Sequence, residues 1–477
     1  MKEEDYLAFS SMLQNSKAEK FHSLLVFIRR NDLAEKEIAT ALLISINAYY
    51  TLRSRLHSKL QSFLLSNMPG AKEDILQRVS NISTFIHDTP RDTAIAMLSK
   101  LEEDLLKYDM PWELTRVYTV LKKLHIDSSK YNDYSNAYDK TVAYTLAIEK
   151  LEDLSGSFFK TLSVYFVSGK QEDEKKLFDI REQISGLQKL SNSKHYLLHL
   201  HIIDVSIYLF AGDISAQKKS IPAGILLEKI KKILSNYRCN HSFRFLQKTH
   251  HFLAFEFFYK KGQLEKVKEH FDEINNTLHS FLLYDFSFTT SRFLLTKASY
   301  YKTLGIQHQL YRENQSMTEK YAPGIDNIPN YVEYVKYLAI SNYHSGKHIA
   351  CIKLLNALLQ EVSLRNYLYA ETEIKMFLAY CYTLVNNNDM ASVLIKSAVR
   401  KLKDSEQPDE YQNVFAFVKM LSVLIDTSKK APAEKIKTLK RKFRSLNTSR
   451  TKMLEYLNLD EEISFRKAKP AKALDPA

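Results

Sequence analysis

His195 and His199 stand four residues apart, with His201 close behind. That spacing puts two imidazoles on one helix face, where they bind a divalent metal if carboxylates or a third imidazole complete the shell. No Glu follows His195, so the HExxH arrangement of a helical metalloprotease is missing, and the adjacent His250 and His251 offer no better spacing. Cys239, Cys351 and Cys381 lie far apart and form no CxxC pair; they read as buried reduced thiols rather than zinc ligands or disulfide partners. No phosphate loop, nucleophile elbow or pair of carboxylates in an apolar setting occurs, and with only 10 glycines the chain has little material for Gly-rich cradles. The residues therefore point away from an enzyme, with no catalytic residue, no cofactor and no metal expected.

Charge is the second kind of chemistry on offer, and it is local. Lys429 to Lys452 carries ten Lys/Arg against Glu434 alone, a net +9 out of the chain's +13. Within that stretch Ile436, Leu439, Phe443 and Leu446 fall on one helical face behind Pro432, and Lys437, Lys440, Arg441, Lys442 and Arg444 fall on the other. The apolar face can dock on a neighbouring helix; the basic one is either a solvated cap or a contact for nucleic acid, anionic lipid or an acidic protein.

The elements that must position these groups are helices. Apolar residues recur at three- and four-residue spacing nearly everywhere, strand-like alternation is missing, and 10 Gly with 10 Pro are too few for an all-β chain. Short polar clusters punctuate the pattern at Asn67–Gly70, Asp88–Pro90, Tyr108–Pro111, Ile126–Ser129, Ala322–Gly324 and Asn386–Asn388. A repeat emerges when the turn residues after aromatic-rich helices are aligned: Gly169, Gly212, Gly262, Gly305, Gly346 and Asn386, at intervals of 43, 50, 43, 41 and 40.

These units resemble tetratricopeptide repeats, in which a small residue precedes an aromatic by three positions and a Gly-like turn follows four later. Ala379, Tyr382, Asn386, Ala391 and Ala398 carry the fullest match; Ala298, Tyr301 and Gly305 keep the first helix, with Leu310 and Met317 at the second-helix positions, and Leu338, Ala339, Gly346 and Cys351 keep a different subset. The fold implied is an all-α solenoid of helical hairpins. Its first helices would line a concave groove, and the register places Lys248, His251, Arg292, Lys302, Lys336, Tyr343 and Tyr380 there. Such a basic and aromatic surface suits an extended protein or peptide partner with acidic groups, which makes a non-enzymatic scaffold or adaptor the leading expectation. The same residues could instead be ordinary solvated or core positions.

Residues 37–60 resemble the helix-turn-helix of bacterial transcription regulators, through Glu37, Ile38, Ala39, Leu42, Ser45 and Leu52, with Leu43 where that turn normally has glycine. Ser45 would cap the second helix, and Tyr49, Leu52, Leu56 and Leu60 would be buried. Asn47, Tyr50, Arg53, Ser54 and His57 would then face outward, with Arg55 and Lys59 near phosphates. A DNA-binding regulator is thus the alternative reading, with nucleic-acid contact through Asn47, Tyr50, Arg53, Arg55, Lys440, Arg441, Lys442 and Arg444; a helix pair that only caps the solenoid is the plainer one. The whole layout also resembles an uncharacterised group of bacterial proteins of similar length. The expected division is 1–67, an N-terminal helical unit; 71–128, connecting helices; 130–428, the solenoid; 429–467, basic C-terminal helices; and 468–477, a disordered tail. The start MKEEDYLAFSSM lacks the features of a signal peptide, and no run of eighteen apolar residues occurs, so a cytoplasmic protein with no membrane span is expected.

Overall fold

Five of the six aligned turn residues adopt one backbone conformation. In the computed structural model of the chain, Gly169, Gly262, Gly305 and Gly346 have φ of 68–73°, and Asn386 has φ 60°. This left-handed region costs glycine almost nothing, and asparagine tolerates it better than most side-chain-bearing residues. After the last four, one bond recurs: Gln263, Ile306, Lys347 and Asn387 donate their main-chain N–H to the carbonyls of Phe258, Tyr301, Asn342 and Tyr382 at 2.9–3.0 Å. A bond reaching back five residues closes a helix and satisfies a carbonyl that the helix itself leaves orphaned. The chain is in this sense helical-repeat-like.

The structure describes residues 3–459, apart from 17, 31–32, 68–70, 84–85, 87–90, 191–192, 212–220, 238–239, 241–242, 279–280, 283–286, 319–320, 406–407, 427–432 and 448–451. Gly212, Cys239, the Met68–Gly70 and Asp88–Pro90 turn signals, the 468–477 tail and the His57 side chain lie outside the described residues. Those described are 83% helical, with 21 α-helices, one short 3-10 turn and no strand. None of the helices is long and apolar enough to cross a membrane.

The chain divides into two compact units, residues 1–146 with 237–241 and residues 147–236 with 242–477. In the first, one core gathers Phe9, Leu13, Leu24, Ile38, Leu42, Tyr49, Leu56 and Phe63, and a second gathers residues from Ile75 to Leu121. The helix Lys130–Ser168, 39 residues long, contains the point of division. In the second unit, helices pack in sequence-adjacent pairs: Phe243–Lys260 with Leu264–Asn275, Ile328–His344 with His348–Glu361, and Leu368–Leu384 with Asn388–Lys403. Small side chains allow the close approach that such pairing needs. Ala298, Ala339, Ala379, Ala391, Ala398 and Cys351 are all buried, and so are the larger Leu310 and Met317.

Candidate functional site

Lys336 and Tyr343 are seven residues apart on the helix Ile328–His344, two turns along one face. Tyr369, Glu373, Phe377 and Tyr380 follow spacings of four, four and three on the helix Leu368–Leu384, which makes a second stripe. Lys302 is in the last turn of Ser287–Thr303. Lys336 is buried between two carboxylates, its Nζ donating to Glu333 Oε1 at 2.6 Å and to Glu373 Oε2 at 2.8 Å. Burial works against the ammonium, but the Glu333 and Glu373 charges outweigh it and hold its pKa above the ordinary lysine value.

Residues 452–459 lie across these stripes. The Tyr369 hydroxyl donates to the Lys452 carbonyl. Glu373 Oε1 accepts the Leu454 N–H at 3.2 Å, and the Tyr343 hydroxyl accepts the Asn458 N–H at 2.8 Å. Lys302 Nζ donates to two carbonyls, Glu455 at 2.8 Å and Leu457 at 2.7 Å. Asn447, itself held by Asn413 Nδ2 at 2.8 Å, accepts the Met453 N–H at 3.1 Å and donates to the Met453 carbonyl at 2.8 Å. The side chains of Met453, Leu454, Tyr456, Leu457 and Leu459 are buried, and the Tyr456 ring meets Phe377 edge-on at 4.9 Å. Burial, reinforced by Glu373, raises the pKa values of Tyr369 and Tyr456 well above the usual tyrosine value, so both stay neutral phenols.

This segment corrects the expected run of basic helices through residue 467. The helix ends at Leu446, and 452–459 is irregular, with most of its bonded main-chain groups meeting side chains of the packed helices and one internal bond, from the Leu457 N–H to the Leu454 carbonyl at 3.2 Å. Leu454 sits at φ 60°, which breaks any helical path.

Comparison with protein-family models, curated proteins and solved structures finds no match for this chain. The geometry of its own residues therefore carries the functional argument.

Of the seven expected groove residues, Lys302 and Tyr343 touch the segment, and Lys336 reaches it through Glu373. Tyr380 packs against Tyr343, ring centroids 6.3 Å apart, and is fully buried. Arg292 stacks over Phe166 at 4.7 Å and is within electrostatic reach of Tyr369. Two placements correct the expectation of a basic ligand-facing surface. His251 turns toward the second helix of its own hairpin, Nδ1 to Nδ1 of His270 at 3.0 Å, and Lys336 is buried in its carboxylate pair. Lys248 is half-buried on the same helix as His251. Tyr369, Glu373 and Phe377 were missed, although their four-residue spacing is visible; nothing local distinguishes such a stripe from core.

The other candidates resolve as follows. His199 is buried with Nδ1 2.7 Å from Ser155 Oγ, and no group of three His, Cys, Asp or Glu that could hold a metal exists among the described residues. Cys351 and Cys381, 30 positions apart, carry buried thiols in contact, Sγ to Sγ 3.6 Å, within electrostatic reach of Tyr456. Phe443 packs on Phe417 at 5.1 Å, so the basic helix Ala433–Leu446 docks by its apolar face while Arg441, Lys442 and Arg444 are exposed and Lys440 is half-buried.

In the first unit, Leu43 takes φ 53° although it is a leucine and 90% exposed. The Ser45 hydroxyl accepts the Ala48 N–H at 3.2 Å, and Glu37 reaches back to the Ala34 N–H at 2.8 Å. Tyr49 and Leu56 are buried, Leu52 and Leu60 partly so, and Asn47, Tyr50, Arg53 and Arg55 are exposed. Glu35 on the preceding helix holds two of these, accepting from the Tyr50 hydroxyl at 3.0 Å and pairing with Arg53.

Proposed function

We propose that this chain is a non-enzymatic, cytoplasmic scaffold or adaptor whose tetratricopeptide-like hairpins form a solenoid, and that the groove of its second unit binds a peptide of a protein partner. The observation that carries this is Lys302, whose ammonium donates to two main-chain carbonyls, those of Glu455 and Leu457, at 2.8 and 2.7 Å. A charged donor aimed at main-chain oxygens, flanked by Tyr343 and Glu373 accepting main-chain N–H groups, is the apparatus of peptide recognition. The expected preference for an acidic ligand is not carried forward, since the buried Lys336 is already matched by two carboxylates. The test is a decapeptide library screened against the wild type and Lys302→Ala. Peptides that bind are expected to lose roughly ten- to a hundredfold in affinity in the variant, because two charge-assisted bonds disappear. Equal affinity for both proteins would sink the reading.

A second reading, duplex DNA bound through residues 33–60, is favoured by one observation: Leu43 holds the left-handed turn that the helix-turn-helix pattern requires, at a position where a leucine is strained. Arg53 must leave Glu35 to reach a phosphate. Glu35→Ala is therefore expected to strengthen low-salt duplex binding severalfold, and Arg53→Ala with Arg55→Ala to abolish it with a shallower salt dependence. Fluorescence anisotropy across a salt series checks both signs. Binding indifferent to these changes, but lost with Arg441→Glu and Lys442→Glu, would assign the contact to the basic helix instead.

A further inference from the structure

The segment in the groove is an imperfect occupant. Leu454 is held at φ 60°, a conformation that is unfavourable for a leucine. The Tyr456 hydroxyl is buried without a hydrogen-bond partner among the described residues, so it has surrendered water and gained nothing in exchange. Lys302, Tyr343, Tyr369 and Glu373 each hold the segment through its main-chain atoms. Any peptide that follows the same turn offers those atoms. Side-chain selection is left to the apolar slots, chief among them the one where Tyr456 meets Phe377.

We propose that residues 452–459 are an exchangeable internal occupant of the peptide groove, and that the ligand that displaces them is an external peptide with the same turn and a phenylalanine at the Tyr456 position. This rests on the peptide-groove reading above. Being part of the same chain, the internal segment competes at an effective concentration of about millimolar or more. An external peptide must overcome that advantage. A ring without the stranded hydroxyl does so, because it fills the Phe377 slot at no polar cost. The groove is therefore closed at rest and opens to a better-fitting aromatic peptide, so the internal segment sets the threshold for binding.

The probe is a labelled octapeptide, Lys-Met-Leu-Glu-Phe-Leu-Asn-Leu, titrated by fluorescence anisotropy into the full chain as wild type, Tyr456→Phe and Tyr456→Ala. The internal copy of Tyr456→Phe fits better, so the peptide's apparent affinity is expected to fall roughly tenfold. Tyr456→Ala vacates the slot, and affinity should rise by about tenfold or more. The same octapeptide with tyrosine should bind wild type roughly tenfold more weakly than the phenylalanine form. Equal affinity across the three proteins, or a rise in Tyr456→Phe, overturns the exchange. Should Tyr456→Ala lose its cooperative unfolding, the Tyr456→Phe shift and the ratio of the two peptides decide alone. Binding to none of the three, with Tyr456→Ala folded, overturns the groove reading itself. Self-association of the wild type that the octapeptide dissolves would give the slot to a second copy of this chain and overturn the external ligand.

Discussion

Replacing Lys336 with alanine is expected to cost roughly 3–5 kcal/mol of folding stability, the usual penalty for removing one partner from a buried ion pair. The side chain lies 5% exposed between Glu333 and Glu373, and without it two carboxylates face each other with no cation. Glu373 also accepts the Leu454 N–H, so the groove segment should loosen together with the core. Urea unfolding of wild type and Lys336→Ala measures the loss. Recovery in the triple variant Lys336→Met, Glu333→Gln, Glu373→Gln would confirm that stranded charge is the cause. A loss below about 1 kcal/mol would instead place the ammonium in contact with water.

Mild acid should destabilise the second unit strongly. Burial and the neighbouring His195 push the His199 pKa down to about 3, and burial with His251 and His270 does the same for His250. A histidine free in the unfolded chain titrates near 6.5, so below that pH the unfolded state binds protons that the folded state refuses. The contribution is fully present above 6.5 and is lost as pH falls toward the folded value. At about 1.4 kcal/mol per pH unit per histidine, these two residues together remove about 4 kcal/mol between pH 6.5 and 5. Thermal unfolding at pH 7.5 and 5.0, at one ionic strength, should show the midpoint dropping, and His199→Leu should remove about half of the dependence. Ser155 still donates to the Leu151 carbonyl at 2.9 Å in that variant, so no new orphan confuses the result. A midpoint that does not move would mean that these imidazoles are already hydrated.

How much of this was legible beforehand depended on whether a residue's role is local. Glycines at 169, 262, 305 and 346 and Asn386 announced their turns because left-handed backbone selects residue types directly. Ser45 and Glu37 likewise announced the start of their helices. Register alone singles out Lys302 and Tyr343 as candidates, but not the main-chain groups they meet, which lie 153, 155 and 115 positions away. Segment 452–459 left no trace because main-chain recognition imposes no pattern on the side chains that carry it. Lys336 misled for a related reason: a lysine in an amphipathic helix reads as a solvent-facing residue, and only the approach of Glu373 from another helix, 37 positions on, makes burial tolerable. Leu43 was the opposite case, a residue of the wrong type for a turn that forms regardless.

The thiols of Cys351 and Cys381 give the core around them a clock. They touch each other, are buried, and lie within electrostatic reach of Tyr456. An alkylating reagent in excess can therefore reach them only during excursions that open this packing, and the reaction rate counts those excursions. Slow modification that accelerates under subdenaturing conditions reports global opening; modification indifferent to denaturant reports a local latch. The pair turns an invisible equilibrium of the resting molecule into a half-life that can be timed by mass spectrometry.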